Sequence, residues 1–136
     1  MTTINSPIII GGLYYVKDST ISLPPNDGRN VHDERRPVVV LSGPNTNSFA
    51  GWRTVLAAPT STSTSLKTKY CVKLGAGEGN LPKKCWVRVV AVQPLLKSDL
   101  QDHLGVLSAA RLEEIQARLF QYMGLHIEDL DDVELP

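Results

Sequence analysis

Two apolar runs, each stopped by turn formers, restrict this chain to a small set of folds. The first is Arg35-Arg36-Pro37-Val38-Val39-Val40-Leu41-Ser42, and the second is Val55-Leu56-Ala57-Ala58-Pro59-Thr60-Ser61. Both are short, rich in β-branched or small apolar residues, and read as buried strands. Two arginines precede the first run and two hydroxyls close the second. A β core with Arg, Thr and Ser at its rim is a place where an anion or phosphate can be handled.

The other segments fall in around these strands. Ile8 to Val16 is an apolar run broken by Gly11-Gly12, which predicts a first strand with a bulge or sharp bend. Lys17 to Glu34 is long and polar, with turn formers at Pro24-Pro25, Asn26-Asp27-Gly28 and Asn30. A loop of that length in a small domain is either functional or disordered. The second strand is expected at 36–42, followed by a Gly43–Asn47 loop, and the third at Trp52 to Ala58. Thr60 to Ser65 alternates Thr and Ser, as a flexible linker does or as a hydroxyl-rich wall against a ligand would.

Leu66 to Leu74 and Lys84 to Val92 read as a hairpin about Gly75–Asn80. In its second strand Trp86, Arg88, Val90 and Val92 would share one face, and Val87, Val89, Ala91 and Gln93 the other. Ser108 is a suitable N-cap for a final helix, with Leu107 stapled onto Leu112. Leu112, Ile115, Leu119 and Met123 form its apolar stripe, Phe120 lies beside them, and Gly124 ends it. Arg111, Glu113, Glu114, Gln116, Arg118 and Gln121 are left to face water. Five strands and one late helix describe an α+β, mainly β domain on an antiparallel, barrel-like sheet.

Charge narrows the partners. The 136 residues contain 14 Lys plus Arg and 14 Asp plus Glu, a formal net charge of zero. Coating duplex nucleic acid demands a basic excess, so any nucleic-acid contact must be local. Residues 127–136 hold five acids and no base, which leaves 14 basic against nine acidic residues elsewhere. That tail reads as a solvated terminus or as an acidic arm that shields the body or binds a partner. Cys71 and Cys85 lack metal-site spacing, and no signal peptide precedes them. Reduced thiols in a cytoplasmic protein are expected. No apolar run approaches the ~18–20 residues of a membrane span.

Taken in order, the motifs resemble the MazF/PemK family of toxin–antitoxin toxins, which cut single-stranded RNA. The resemblance is carried by Gly11-Gly12-Leu13-Tyr14-Tyr15-Val16, by Arg36-Pro37-Val38-Val39-Val40-Leu41-Ser42, and by Val55 to Ser61 with its closing Pro59-Thr60-Ser61. Val90-Ala91-Val92-Gln93-Pro94 and Leu104-Gly105-Val106-Leu107-Ser108 continue it. It implies an SH3-like barrel with a C-terminal helix (MazF/PemK/CcdB-like), a single toxin domain over 1–125 and an acidic tail at 126–136. It also implies a homodimer, a cytoplasmic location, an antitoxin partner in the RNA groove, and ribonuclease chemistry without a metal or other cofactor.

In that chemistry the ribose 2′-OH attacks the adjacent phosphate. A group must accept the proton, and fixed donors must hold the growing charge. Arg36 matches the family's Arg-Pro arginine, and its fork suits a phosphoryl oxygen pair. Thr60 matches the strand-end threonine. These two are the catalytic candidates, and Ser61, Arg35, His32, Arg88 and Gln93 are the candidates for substrate binding. His32 is a loop imidazole suited to proton transfer near neutrality. Competing readings pair Arg36 with Asp33 or Glu34 and make Thr60 a turn residue.

The chain departs from the family pattern where an Asp, and in some members an Arg, is often carried. Those positions hold Val92 and Val90. Leu95 stands where an arginine is common and Leu13 where an acid is often found. Arg88 is a candidate for the displaced positive charge. Three function classes follow, of which the first two are an endoribonuclease toxin and an inactive member of the same fold that binds RNA, an antitoxin or a protein target such as gyrase. A packing role in a larger assembly is the third.

Overall fold

The computed structural model describes residues 7–23, 34–64 and 67–125. Among the described residues seven strands and two α-helices are arranged in the order β1 (Gly12–Lys17), β2 (Arg35–Val40), α1 (Pro44–Asn47), β3 (Thr54–Ser61), β4 (Val72–Leu74), β5 (Cys85–Val87), β6 (Gln93–Leu96), β7 (His103–Val106) and α2 (Ala109–Tyr122). The sheet runs β4-β5-β3-β2-β1-β7, with β6 also paired to β3. All the pairings are antiparallel. The result is a curled antiparallel half-barrel with a C-terminal helix, mainly β.

The two runs that open the sequence reading lie side by side, with Val38 opposite Pro59, Val39 opposite Ala58 and Val40 opposite Ala57. β3 is the hub of the sheet. Its first half pairs with β6 (Thr54–Leu96 to Ala57–Gln93) and its last two residues pair with β5 (Thr60–Val87, Ser61–Trp86). One eight-residue strand therefore serves three neighbours, and the sheet must curl where it passes from one to the next. Side chains alternate to two cores. Leu13, Val39, Ala58, Val87 and Leu74 pack on one side beneath α2, where Ile115 is fully buried. Tyr14, Val16, Val38, Val40, Ala57 and Leu95 pack on the other.

Several expectations about elements change. The first strand begins at Gly12 rather than Ile8, because the chain turns at Gly11 and the Gly12 amide donates to the Ile9 carbonyl. The third strand runs to Ser61, so Thr60 lies inside it rather than after it. The expected strand Lys84 to Val92 is one short strand followed by a turn. β5 stops at Val87, Arg88 leaves the extended region (φ −88°, ψ 81°), and Val89–Ala91 is a 3-10 turn. Alternation is lost there, so Trp86, Arg88, Val90 and Val92 do not form one face. Gln93–Leu96 then pairs with β3.

Helix α2 begins as its cap predicts, with the Ser108 hydroxyl accepting from the Arg111 amide at 3.2 Å. Leu112 is partly buried and Leu119 is buried, but Met123 at the end of the stripe is 62% exposed. Arg111 does not simply face water. It donates to Glu78 and Glu114, tying the helix to the 78–80 turn. Both cysteines are free thiols.

Candidate functional site

The β2–β3 ladder ends at Val38 and Pro59, which leaves the carbonyls of Pro37 and Thr60 beyond its last rung. Neither stays open. The Thr60 hydroxyl donates to the Pro37 oxygen at 2.8 Å, and Arg36 Nη1 donates to the Thr60 oxygen at 2.7 Å. Arg36 Nε donates to Asp18 Oδ1 at 2.7 Å. Arg36 and Thr60, separated by 23 residues of chain, are thus locked together at one end of the sheet.

They border a pocket of about 280 Å³. Asp18, Glu34, Arg35 and Arg36 are among its lining residues. Thr60, Ser61, Thr62 and Ser63 also line it, and Lys83 joins them from the β4–β5 connection. Of the Thr/Ser run, then, the described part nearest the strand is a wall of this pocket. The Arg36 side chain retains 19% exposure, while the Asp18 side chain retains 3%. Nε and Nη1 are committed to protein oxygens, and Nη2 is the nitrogen of the fork with no hydrogen-bond partner among the described residues. A planar guanidinium held at two points aims the third.

Asp18 is the residue that the sequence reading missed. The expected carboxylates for Arg36 were Asp33 or Glu34; Asp33 lies outside the described residues, and among the described residues the ion-pair partner is Asp18. The signal lay in the register. Lys17 pairs with Arg35 across β1 and β2, so the residue after Lys17 sits beside Arg36 once the chain leaves β1. Asp18 also binds its own loop, its amide donating to the Glu34 carbonyl at 3.1 Å. Lys83 was missed because only the hairpin carries it there.

Thr60 is 2% exposed. Its hydroxyl proton is directed at Pro37, and the hydroxyl lies beside the buried Cys85 thiol, whose pKa it lowers against the larger effect of burial. Burial pushes that thiol from an ordinary 9.0 up to about 11. Thr60 therefore sets the position of its carbonyl, and through it Arg36, rather than presenting a free hydroxyl. Ser61 Oγ accepts from the Ser63 amide at 3.1 Å, which shapes the turn that walls the pocket. Arg35 lies 4.2 Å over the Tyr15 ring and is ion-paired with Asp102 at the pocket's outer side.

Arg88 and Gln93 lie away from the pocket lining. The Arg88 backbone amide donates to Pro59, the residue is 6% exposed, and its Nε has no hydrogen-bond partner among the described residues. Gln93 clamps the peptide of Ser22, accepting from its amide at 3.0 Å and donating to its carbonyl at 2.8 Å. It anchors the start of the long loop. Val92 packs against the core and Leu95 is 5% exposed, so both are apolar in role as well as in kind. His32 and the tail from 126 lie outside the described residues. Among the described residues no group of three or more His, Cys, Asp or Glu is arranged to hold a metal ion, and no helix is long and apolar enough to cross a membrane.

A curled antiparallel half-barrel with a C-terminal helix carries a pocket lined by Arg35 and Arg36 at the β2–β3 end. Residues 19–123 match the family model described as PemK-like, MazF-like toxin of type II toxin–antitoxin system, and the chain belongs to that family. A search of curated proteins finds no match. Solved structures agree on the fold. An endoribonuclease in complex with its cognate antitoxin from a mycobacterial species is 20% identical, with a TM-score of 0.64 over 91% of this chain and 99% of that one. A MazE–MazF complex from Deinococcus radiodurans is 21% identical, with a TM-score of 0.64 over 90% of this chain and all of the other. The Mycobacterium tuberculosis toxin MazF-mt6 is 19% identical, also at 0.64, over 85% and 99%.

Proposed function

We propose that this type II toxin is an endoribonuclease that cuts single-stranded RNA by internal attack of a ribose 2′-oxygen on the adjacent phosphorus. The new bond is O2′–P and the broken one is P–O5′. The 2′ proton goes to a base, the departing 5′ oxygen takes up a proton, and the products carry a 2′,3′-cyclic phosphate and a 5′-OH. Arg36 holds the phosphoryl oxygens through Nη2, with Asp18 and the Thr60 carbonyl fixing the fork. Arg35, Ser61 and Lys83 receive the neighbouring backbone. The reaction proceeds without a metal, the guanidinium supplying the positive charge. His32, in the loop that leads to Arg36, is the residue we would test first as proton acceptor.

The observation that carries this reading is the two-point fixation of Arg36 at the rim of a pocket large enough for a phosphodiester. The toxin would act as a cytoplasmic homodimer silenced by a cognate antitoxin, with one toxin domain over 1–125 and an acidic tail at 126–136. Purified protein incubated with mixed-sequence RNA in chelator should leave fragments ending in 5′-OH. Intact RNA with well-folded protein would reject the reading.

A second reading, binding without cutting, draws on Val92 and Leu95. The family positions that often carry charge are packed into apolar surroundings here, so Asp18 and Glu34 are the carboxylates lining the pocket. Growth arrest on induction with RNA intact would favour it.

A further inference from the structure

Outside the pocket, the outer face of β4 and β5 carries an aromatic ring bracketed by cations. Ser61 is directly opposite Trp86, and Trp86 is directly opposite Lys73. Residues directly opposite share a face of the sheet, so Ser61, Trp86 and Lys73 form one row across three strands. At about 4.8 Å per strand the row spans roughly 10 Å. Its inner end, Ser61, is a wall of the phosphate pocket, and its outer end lies on β4, an edge strand. Lys67 Nζ lies 4.1 Å and Lys73 Nζ 5.8 Å from the Trp86 ring centroid. Lys67, Lys73, Lys83 and Lys84 are all exposed, and none forms an ion pair among the described residues.

We propose that this row is a track for single-stranded nucleic acid, which receives the nucleotides flanking the phosphate held by Arg36. The proposal rests on the nuclease reading of the pocket and extends it. Single-strand binders combine a cationic path for the backbone with an aromatic plane for a base. Here Lys67 and Lys73 occupy the ring only as weak cation–π partners. An arriving strand gives them phosphates, and a base takes the indole face. An acidic peptide would use the lysines but has no need of the ring or of continuity with the pocket. The strip also suits a protein of zero formal charge, in which cationic contacts must be local.

The test is anisotropy of a labelled single strand of about 12 nucleotides, of mixed sequence and lacking 2′-hydroxyls so that it cannot be cut. Lys67→Gln with Lys73→Gln should weaken binding about tenfold and flatten the plot of log affinity against log salt by about 1.4, two phosphate contacts' worth. A trinucleotide, confined to the pocket, should bind the variant and the parent alike. In a Trp52→Phe background, which leaves Trp86 as the fluorophore, adding the strand should quench the emission. Cleavage of RNA by the parent, together with unchanged affinity, slope and emission, would overturn the track and leave the nuclease standing. Loss of affinity for an oligoglutamate peptide alone would also overturn it, in favour of an acidic partner. If the parent neither binds nor cuts RNA, the reading of the pocket has failed first and the track falls with it.

Discussion

The Arg36 guanidinium serves the fold and the site with different nitrogens. Nε and Nη1 close the end of the β2–β3 ladder through Asp18 and the Thr60 carbonyl, and in the proposed reaction Nη2 meets the phosphate. Lysine keeps the charge but cannot reproduce a fork that bonds in three directions. Arg36→Lys should therefore lower single-turnover RNA cleavage by ~10²–10³, with the fold retained by circular dichroism. Asp18→Asn removes the carboxylate that aims the fork. Because Arg36 keeps some contact with water, the variant should lose less than the ~3–5 kcal/mol typical of a fully buried pair, which denaturant unfolding would measure. Thr60 reaches inward, to Pro37 and Cys85. The Cys85 thiol is raised to about 11, so the folded chain holds the neutral form that the unfolded chain gives up near 9.0. Its contribution is fully present below pH 9 and is lost as pH rises toward 11. Unfolding followed across that window should show stability falling, and Cys85→Ala should flatten the fall. A thiol reagent at neutral pH should modify the half-buried Cys71 well before Cys85.

Among the elements, α2 shows how far a sequence can be read. Ser108, Ile115, Leu119 and Gly124 announced its start, its buried stripe and its stop, because caps and a 3.6-residue period are local properties. Ser108→Ala should cost about 1 kcal/mol in thermal or denaturant unfolding. Gly124 has φ +86°, and its amide and that of Leu125 donate back to Gln121 and Phe120, so Gly124→Ala should be destabilising by a similar amount. The β5 region was read less well. Lys84 to Val92 alternates as one strand would, but the break at Arg88 is set by β3, which pairs with β5 only at its last two residues and with β6 before them. That is a tertiary fact with no local signature, and Asp18 escaped for the same reason. Gly105 shows the converse: it stood out as part of a motif, yet its reason is long-range. A Cβ there would stand 2.5 Å from the Gly79 carbonyl oxygen, backbone against backbone. Gly105→Ala should destabilise far more than Gly43→Ala, where a Cβ meets nothing within 4 Å; parallel melting curves would check this.

Across the whole molecule, the pocket end and the helix end are joined through the β4–β5 hairpin. Its connection sends Lys83 into the pocket and Glu78 to Arg111 on α2. Arg111 and the Gly75 amide hold the Glu78 carboxyl below its ordinary 4.5. A depressed carboxyl stabilises the fold fully above 4.5 and loses that contribution as pH falls through the lowered folded value. Both side chains are about a third exposed, so the pair should contribute roughly 0.2–1 kcal/mol. Arg111→Gln should remove that increment at pH 7 and show little difference from the parent in strong acid. What such a frame is for depends on whether Arg36 holds a phosphate, as proposed. The most direct measurement is end-group analysis of mixed-sequence RNA digested in chelator by the parent chain and by Arg36→Ala, both shown to be folded. The account predicts 5′-OH and cyclic-phosphate termini from the parent and uncut RNA with the variant; equal cleavage by both, or 5′-phosphate ends, would contradict it.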